Sequence, residues 1–171
     1  MTVLVDPVQE AARAVRAVPD PEIPVLTIDD LGVIREVETA QVRGRPGLRV
    51  TITPTYSGCP ALQAMVDGVV EAGTRRDVPV EVVTRLSPAW TTAWMSEQGR
   101  EKLRRFGIAP PTGERAHRDG PVPVGLQLRQ VACPRCGSRD TEEVARFGST
   151  ACKALRRCRA CREPFDEFKT I

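Results

Sequence analysis

Leu48-Arg49-Val50-Thr51-Ile52-Thr53-Pro54-Thr55-Tyr56-Ser57-Gly58-Cys59-Pro60 reads as a strand that delivers its chain straight into a helix. Leu48, Val50 and Ile52 alternate with Arg49, Thr51 and Thr53, the period-two pattern of a strand with one buried face. Beyond Pro60, the residues Leu62, Met65, Val66, Val69 and Gly73 fall at helical spacing and make a core stripe. The turn between them carries a cysteine, with Pro60 expected at the first helical position.

Upstream, Val33 to Thr39 reads as a second strand, joined to the first through Arg43-Gly44-Arg45-Pro46-Gly47 as a hairpin connection. Before it comes a helix. Asp6 can cap it, Pro7 suits its first turn, Gln9 completes a capping-box-like arrangement, and Val8, Ala11, Ala12, Val15 and Val18 line one face. Pro19 and Pro21 end it, and Asp20-Pro21-Glu22-Ile23-Pro24 becomes a stiff turn because each proline fixes its own φ and restricts its predecessor. Downstream, Val80, Val82, Thr84 and Leu86 form a third strand. A last helix runs from about Ser96 to Phe106, capped by Ser96 and stopped by Gly107. The order is α-β-β-α-β-α, an α+β domain of two layers expected over residues 1–109. A proline- and glycine-rich linker follows over 110–124, then a four-cysteine, zinc-ribbon-like module over 125–171.

The module rests on Cys133-Pro134-Arg135-Cys136 and Cys158-Arg159-Ala160-Cys161, with residues 137–157 between them. Two tight thiol pairs suit a tetrahedral metal site, zinc before iron or a redox dithiol, and four protein ligands leave no open position for catalysis. The module has few large apolar residues (Leu126, Leu128, Phe147, Leu155, Phe165 and Phe168), so metal binding must supply folding energy. Its zinc is expected to be structural.

The 171 residues carry a net charge of +3, with 41% hydrophobic and 27% charged residues. From Leu126 onward ten Lys/Arg face six Asp/Glu, a local +4 that is small for a nucleic-acid surface, although Arg156, Arg157, Arg159 and Arg162 cluster beside the second thiol pair. No apolar run approaches the roughly 20 residues of a membrane span, and no secretory signal opens the chain. A cytoplasmic protein is expected, in which paired thiols are metal ligands before disulfides. His117 is the single histidine and falls in the linker, which argues against triad chemistry. No Gly-rich phosphate loop is present.

Cys59 and Cys152 fall outside the paired thiols. At a strand-to-helix junction, unpaired N–H groups and the helix dipole favour a thiolate on Cys59, and Gly58 leaves the sulfur accessible; the alternative is a buried cysteine acting as a small hydrophobe. Asp20 and Glu22 are two carboxylates held by prolines, or a turn cap and a solvated side chain. Cys152 is a spare thiol that Lys153 or Arg156 could activate, or a substitute for one of the four ligands. Trp90 is expected to pack over the Cys59 corner.

Asp20-Pro21-Glu22-Ile23-Pro24, Asp30-Leu31-Gly32-Val33-Ile34, Thr55-Tyr56-Ser57-Gly58-Cys59-Pro60 and Ser87-Pro88-Ala89-Trp90-Thr91 resemble the metal–sulfur cluster biosynthesis family, the SufT-like iron–sulfur assembly domain, over about residues 6 to 109. Cys133-Pro134-Arg135-Cys136-Gly137-Ser138 and Phe147 to Leu155 resemble the branch that forms the D subunits of bacterial phenylacetyl-CoA epoxidase systems. The resemblance implies an assembly factor and not an enzyme, acting in aerobic phenylacetate degradation. It implies that Cys59 handles iron or a 2Fe–2S cluster transiently, within one chain or shared between two copies, with Asp20 and Glu22 as neighbouring metal-facing groups. The implied client is the reductase subunit, with the diiron subunit second. The competing reading is a non-catalytic structural subunit of the epoxidase complex.

Overall fold

The computed structural model describes residues 6–112 and 130–171. Most of the expected linker, His117 included, and Leu126 and Leu128 lie outside them. The chain divides into two compact units, 1–90 and 91–171.

In the first unit α1 spans Pro7–Arg16, capped by Asp6, whose carboxylate accepts the Val8 N–H at 2.9 Å. β1 spans Ile34–Val42 and β2 Arg45–Ile52, antiparallel, and α2 (Leu62–Thr74) carries the chain over to β3 (Val80–Thr84), which pairs with β2 in parallel. A helix is the usual way to return to a parallel partner. The sheet order is β1-β2-β3, with α1 against α2, β1 and β2, and α2 against β3. Ala11, Val15, Met65, Val69, Leu48, Val50 and Ile52 form the core, all at or below 3% exposure. Gly73 is required where α2 meets β3, because a Cβ there would strike the Val80 side chain and the Val78 carbonyl.

Three details depart from the sequence reading. The hairpin turn is Arg43-Gly44 alone, with φ of 53° and 75°. A two-residue turn with both φ positive matches the twist of paired strands, so β1 and β2 run closer to the turn than a five-residue loop allows. Pro46 sits inside β2, ahead of the ladder with β3 that starts at Leu48, and its missing N–H breaks nothing there. Thr51 and Thr53, expected on an open face, are buried, so alternation fails along the second half of β2. Leu86, expected in the third strand, lies past its end and is 55% exposed.

The second unit opens with a 3-10 turn (Thr92–Trp94) and α3 (Glu97–Phe106). Ser96 caps α3 through the Gly99 N–H at 2.9 Å, and Gly107 ends it at φ 89°. Three antiparallel strands follow, β4 (Thr141–Ala145), β5 (Lys153–Cys158) and β6 (Pro164–Phe168), in that order across the sheet. Ala109, the last residue before the expected linker, lies beside β6 in a parallel bridge to Glu167. It joins Val131, Cys133, Cys158 and Phe165 in one buried cluster. Across β5 and β6 the Arg156 guanidinium meets Glu167 at 3.0 Å, with the carboxylate side chain 1% exposed. Among the described residues no helix is long and apolar enough to cross a membrane.

Candidate functional site

The two thiol pairs sit on matching turns. The first lies ahead of β4 and the second joins β5 to β6. In each, the N–H of the leading cysteine donates to the carbonyl five residues on: Cys133 to Ser138 at 2.9 Å, and Cys158 to Glu163 at 3.0 Å. In each, the residue after the second cysteine has positive φ, 74° at Gly137 and 64° at Arg162. These turns bring the sulfurs of Cys133, Cys136, Cys158 and Cys161 within 4.8 Å of one another. Contacts of 3.8 Å (Cys133 to Cys161) and 3.6 Å (Cys136 to Cys158) run between the pairs. A tetrahedron with metal–sulfur bonds of roughly 2.3 Å places its corners about 3.8 Å apart. The donor set therefore fits one four-coordinate ion.

The electrostatics agree. Cys158 is drawn down to about 7 by the Cys161 N–H, with further hydrogen bonds from the neighbouring thiols and the Ala160 N–H outweighing burial. Cys161 is pushed up to about 12: the Glu163 N–H pulls it down, but burial and hydrogen bonds to Cys158, Cys136 and Cys133 prevail. Cys158 gives up its proton readily while Cys161 holds its own, as neighbouring thiols must without a cation between them.

Cys152 is not in this cluster. Its thiol is buried and lies 3.1 Å from the Thr150 hydroxyl. The cations expected to activate it are engaged elsewhere, Lys153 with Asp166 at 3.5 Å and Arg156 with Glu167. Ion pairing of the same kind engages three of the four arginines beside the second thiol pair. Arg156 meets Glu167 and Glu143, Arg157 meets Glu142, and Arg159 meets Glu142 and Asp140.

Cys59 belongs to the first unit. It is half-buried, at the entry to α2. The helix begins at Leu62, two residues later than expected, with Pro60 and Ala61 completing a turn. Ala61 has no polar side chain to cap the helix; the Leu62 N–H donates to the Cys59 carbonyl at 3.2 Å, and the N–H groups of Ala61 and Leu62 make only weak bonds to the Cys59 sulfur. Those bonds lower its pKa, in line with the sequence reading, but they lose. Burial pushes the Cys59 thiol up, and the Glu22 and Asp20 carboxylates add to the rise. The expected thiolate near neutrality is thus corrected to a thiol whose proton is held by desolvation and by two nearby negative charges.

Asp20 is almost fully buried. Its Oδ1 accepts the N–H groups of Glu22 (2.9 Å) and Ile23 (2.6 Å), and its own N–H donates to the Leu26 carbonyl at 2.8 Å. It holds the Pro21–Pro24 turn that carries Glu22, which is itself half-buried. Among the described residues, the four cysteines of the second unit are the only group of three or more Cys, His, Asp or Glu close enough to hold a metal. Cys59, Asp20 and Glu22 share one electrostatic neighbourhood but do not form a closed ligand set within a single chain.

The surroundings of Cys59 are open. β2 and β3 run in parallel, so the segments leaving them, 53–60 and 85–90, emerge at one end of the sheet. Tyr56, Ser57, Gly58 and Pro60 are exposed, as are Leu86 through Ala89, and the Tyr56 ring lies beside Gly58. The second segment is pinned at both ends. The Arg85 N–H donates to the Ile52 carbonyl at 2.9 Å, and the buried Trp90 donates its indole N–H to the Leu31 carbonyl at 3.0 Å. Sequence reading did not identify which N–H groups face Cys59, which depends on where the helix starts. It also missed Arg162, although its offset from Cys161 repeats that of Gly137 from Cys136.

Comparison with known proteins adds to this geometry. A family model described as iron–sulfur cluster assembly protein matches residues 9–84, and one described as PaaD zinc beta ribbon domain matches residues 118–169. A protein of Escherichia coli (strain K12), named as the D subunit of 1,2-phenylacetyl-CoA epoxidase, is 48% identical over 165 residues, covering 96% of this chain and 93% of its own. Among solved structures, a DUF59 domain from Bacillus anthracis is 25% identical over 57% of this chain and 91% of its own, at a TM-score of 0.48. A Mycobacterium tuberculosis protein described as associated with Fe–S complex assembly and repair is 23% identical over 63% of this chain and 94% of its own, at 0.36.

Proposed function

The chain belongs to the family of 1,2-phenylacetyl-CoA epoxidase D subunits, and on that premise we propose that it is an iron–sulfur maturation factor of the epoxidase system, not a catalyst. The observation that carries the reading is a solvent-reachable thiol outside the metal cluster. It lies beside two carboxylates, within the span matched by the iron–sulfur cluster assembly model. The cargo is iron or a 2Fe–2S cluster, and the client is the reductase subunit.

Cys59 offers one ligand. The remaining ligands come from the client or from a second copy of the chain. Capture exchanges the Cys59 proton for the cargo, and the negative field of Asp20 and Glu22 that disfavours the thiolate also attracts the cation. Release is a ligand exchange without change of oxidation state. A client thiol gives up its proton and takes the iron, and Cys59 regains a proton that its surroundings bind well. A thiol that prefers its proton holds metal weakly, which suits a site that must let go. The four-cysteine ion of the second unit is zinc, which cross-links the two turns and offers no open position.

The test is to produce the epoxidase subunits with this protein, without it, and with Cys59→Ser. Iron and acid-labile sulfide in the purified reductase are expected to fall with Cys59→Ser to the level found without the protein. Full cluster content with Cys59→Ser rejects the transfer role. Loss of the assembled complex in the absence of the protein, indifferent to Cys59, identifies the scaffold role instead.

A further inference from the structure

We infer that residues 91–112, α3 included, are a built-on part of the four-cysteine module, so that metal occupancy at Cys133, Cys136, Cys158 and Cys161 governs whether α3 is ordered. This does not depend on Cys59 or on cluster transfer. Neither matched family span contains the segment: one ends at residue 84 and the other begins at 118.

The seam is made of main chain. Ala109 donates its N–H to the Asp166 carbonyl at 2.8 Å and accepts the Phe168 N–H at 2.9 Å, so it continues the ribbon sheet beyond β6. Farther along, the Thr170 hydroxyl donates to the Thr112 carbonyl at 2.9 Å. At the other end of the segment, the Ile171 carbonyl accepts the Thr92 N–H at 3.2 Å and the hydroxyls of Thr91 and Thr92 at 3.1 and 3.2 Å. Arg100, on α3, ties both ends of the segment together by donating to the Thr92 carbonyl at 2.7 Å and to the Pro111 carbonyl at 3.2 Å.

The path to the metal is short. Ala109 is 1% exposed and shares its buried cluster with Cys133 and Cys158, two of the four ligands. Arg104 of α3 lines a 340 Å³ cleft together with Ala109, Pro110, Cys133 and Gly137. A ten-residue helix is too short to persist in water without packing. The ribbon anchors the two flanks of the helix through the hydrogen bonds of Thr92, Ala109 and Thr112, and a ribbon of three strands with a small core needs its ion to fold. Remove the ion and the strands lose their cross-link; Ala109 then loses its neighbour strand and α3 its support.

The experiment uses the full chain, zinc-loaded and then stripped by a strong chelator, with amide hydrogen exchange read by segment. Exchange over 97–112 is expected to rise on the order of 100-fold on stripping, together with β4 to β6, while α2 stays protected, and to recover when zinc is restored. Retained protection of 97–112 while β4 to β6 open overturns the inference, and so does loss of α2 to the same degree. A second arm uses Arg100→Ala, which touches no ligand. By reciprocity of linkage, the zinc affinity read at equilibrium by competition with a chromogenic chelator is expected to fall about tenfold from that of the unaltered protein, and an unchanged affinity overturns the coupling.

Discussion

At the scale of single residues, Cys59 is governed by a contest between its helix and its neighbours. The N–H groups of Ala61 and Leu62 stabilise a thiolate, while burial, Glu22 and Asp20 oppose it and prevail. A thiol raised above its ordinary value is protonated at neutral pH, so alkylation of Cys59 by iodoacetamide should accelerate about tenfold per pH unit from 7 to 8 with no plateau. Glu22→Gln should speed the reaction at fixed pH, since it removes a negative charge, and a plateau near neutrality would contradict the assignment. Asp20 also acts on stability. Asp20→Ala strands the Glu22 and Ile23 N–H groups and should cost about 1–3 kcal/mol in denaturant unfolding of the first unit, whereas Asp20→Asn, which keeps the Oδ1 acceptor, should cost less. The position of Cys59 was legible in sequence because Gly-Cys-Pro after an alternating strand marks a junction. Its protonation was not, because two of the charges that set it lie some 40 residues away in sequence and are brought near only by the fold.

At the scale of elements, the paired turns of the metal centre share one backbone conformation but place different residues at its positive-φ position. Gly137 takes its positive φ freely, while Arg162 takes it at a steric cost. Arg162→Gly should therefore stabilise the metal-loaded second unit by about 1 kcal/mol, visible as a rise in its melting temperature. The buried pair between β5 and β6 behaves oppositely. Glu167→Ala leaves Arg156 buried without its close carboxylate, and should destabilise the second unit by about 3–5 kcal/mol. The elements themselves were largely readable. Asp6, Ser96 and Gly107 announce the ends of α1 and α3, and the four cysteines announce the ribbon. The hairpin was misjudged because Pro46 looks like a breaker, and only the register reveals that no ladder bond is asked of it.

At the scale of the molecule, the order of elements followed from the sequence, but the association of α3 did not. Gly107 and the prolines after it look like the end of a domain, whereas the hydrogen bonds of Ala109 and Thr112 run to β6 and the residues after it. A fragment of residues 1–90 should keep the helical circular dichroism of α1 and α2. Extending it to residue 109 should add almost none, because α3 is short and its flanks lose their hydrogen bonds to residues 166–171. A clear gain of about ten helical residues would contradict this. The parallel pairing of β2 with β3 has a different consequence, one for the history of such chains. Arg85 and Trp90 clamp the ends of the stretch between them, and its interior, Leu86 to Ala89, faces solvent on the same rim as Cys59. Mutation can redraw those four positions while the thiol and the scaffold stay constant, so this rim can vary among descendants of one ancestor with little cost to the fold.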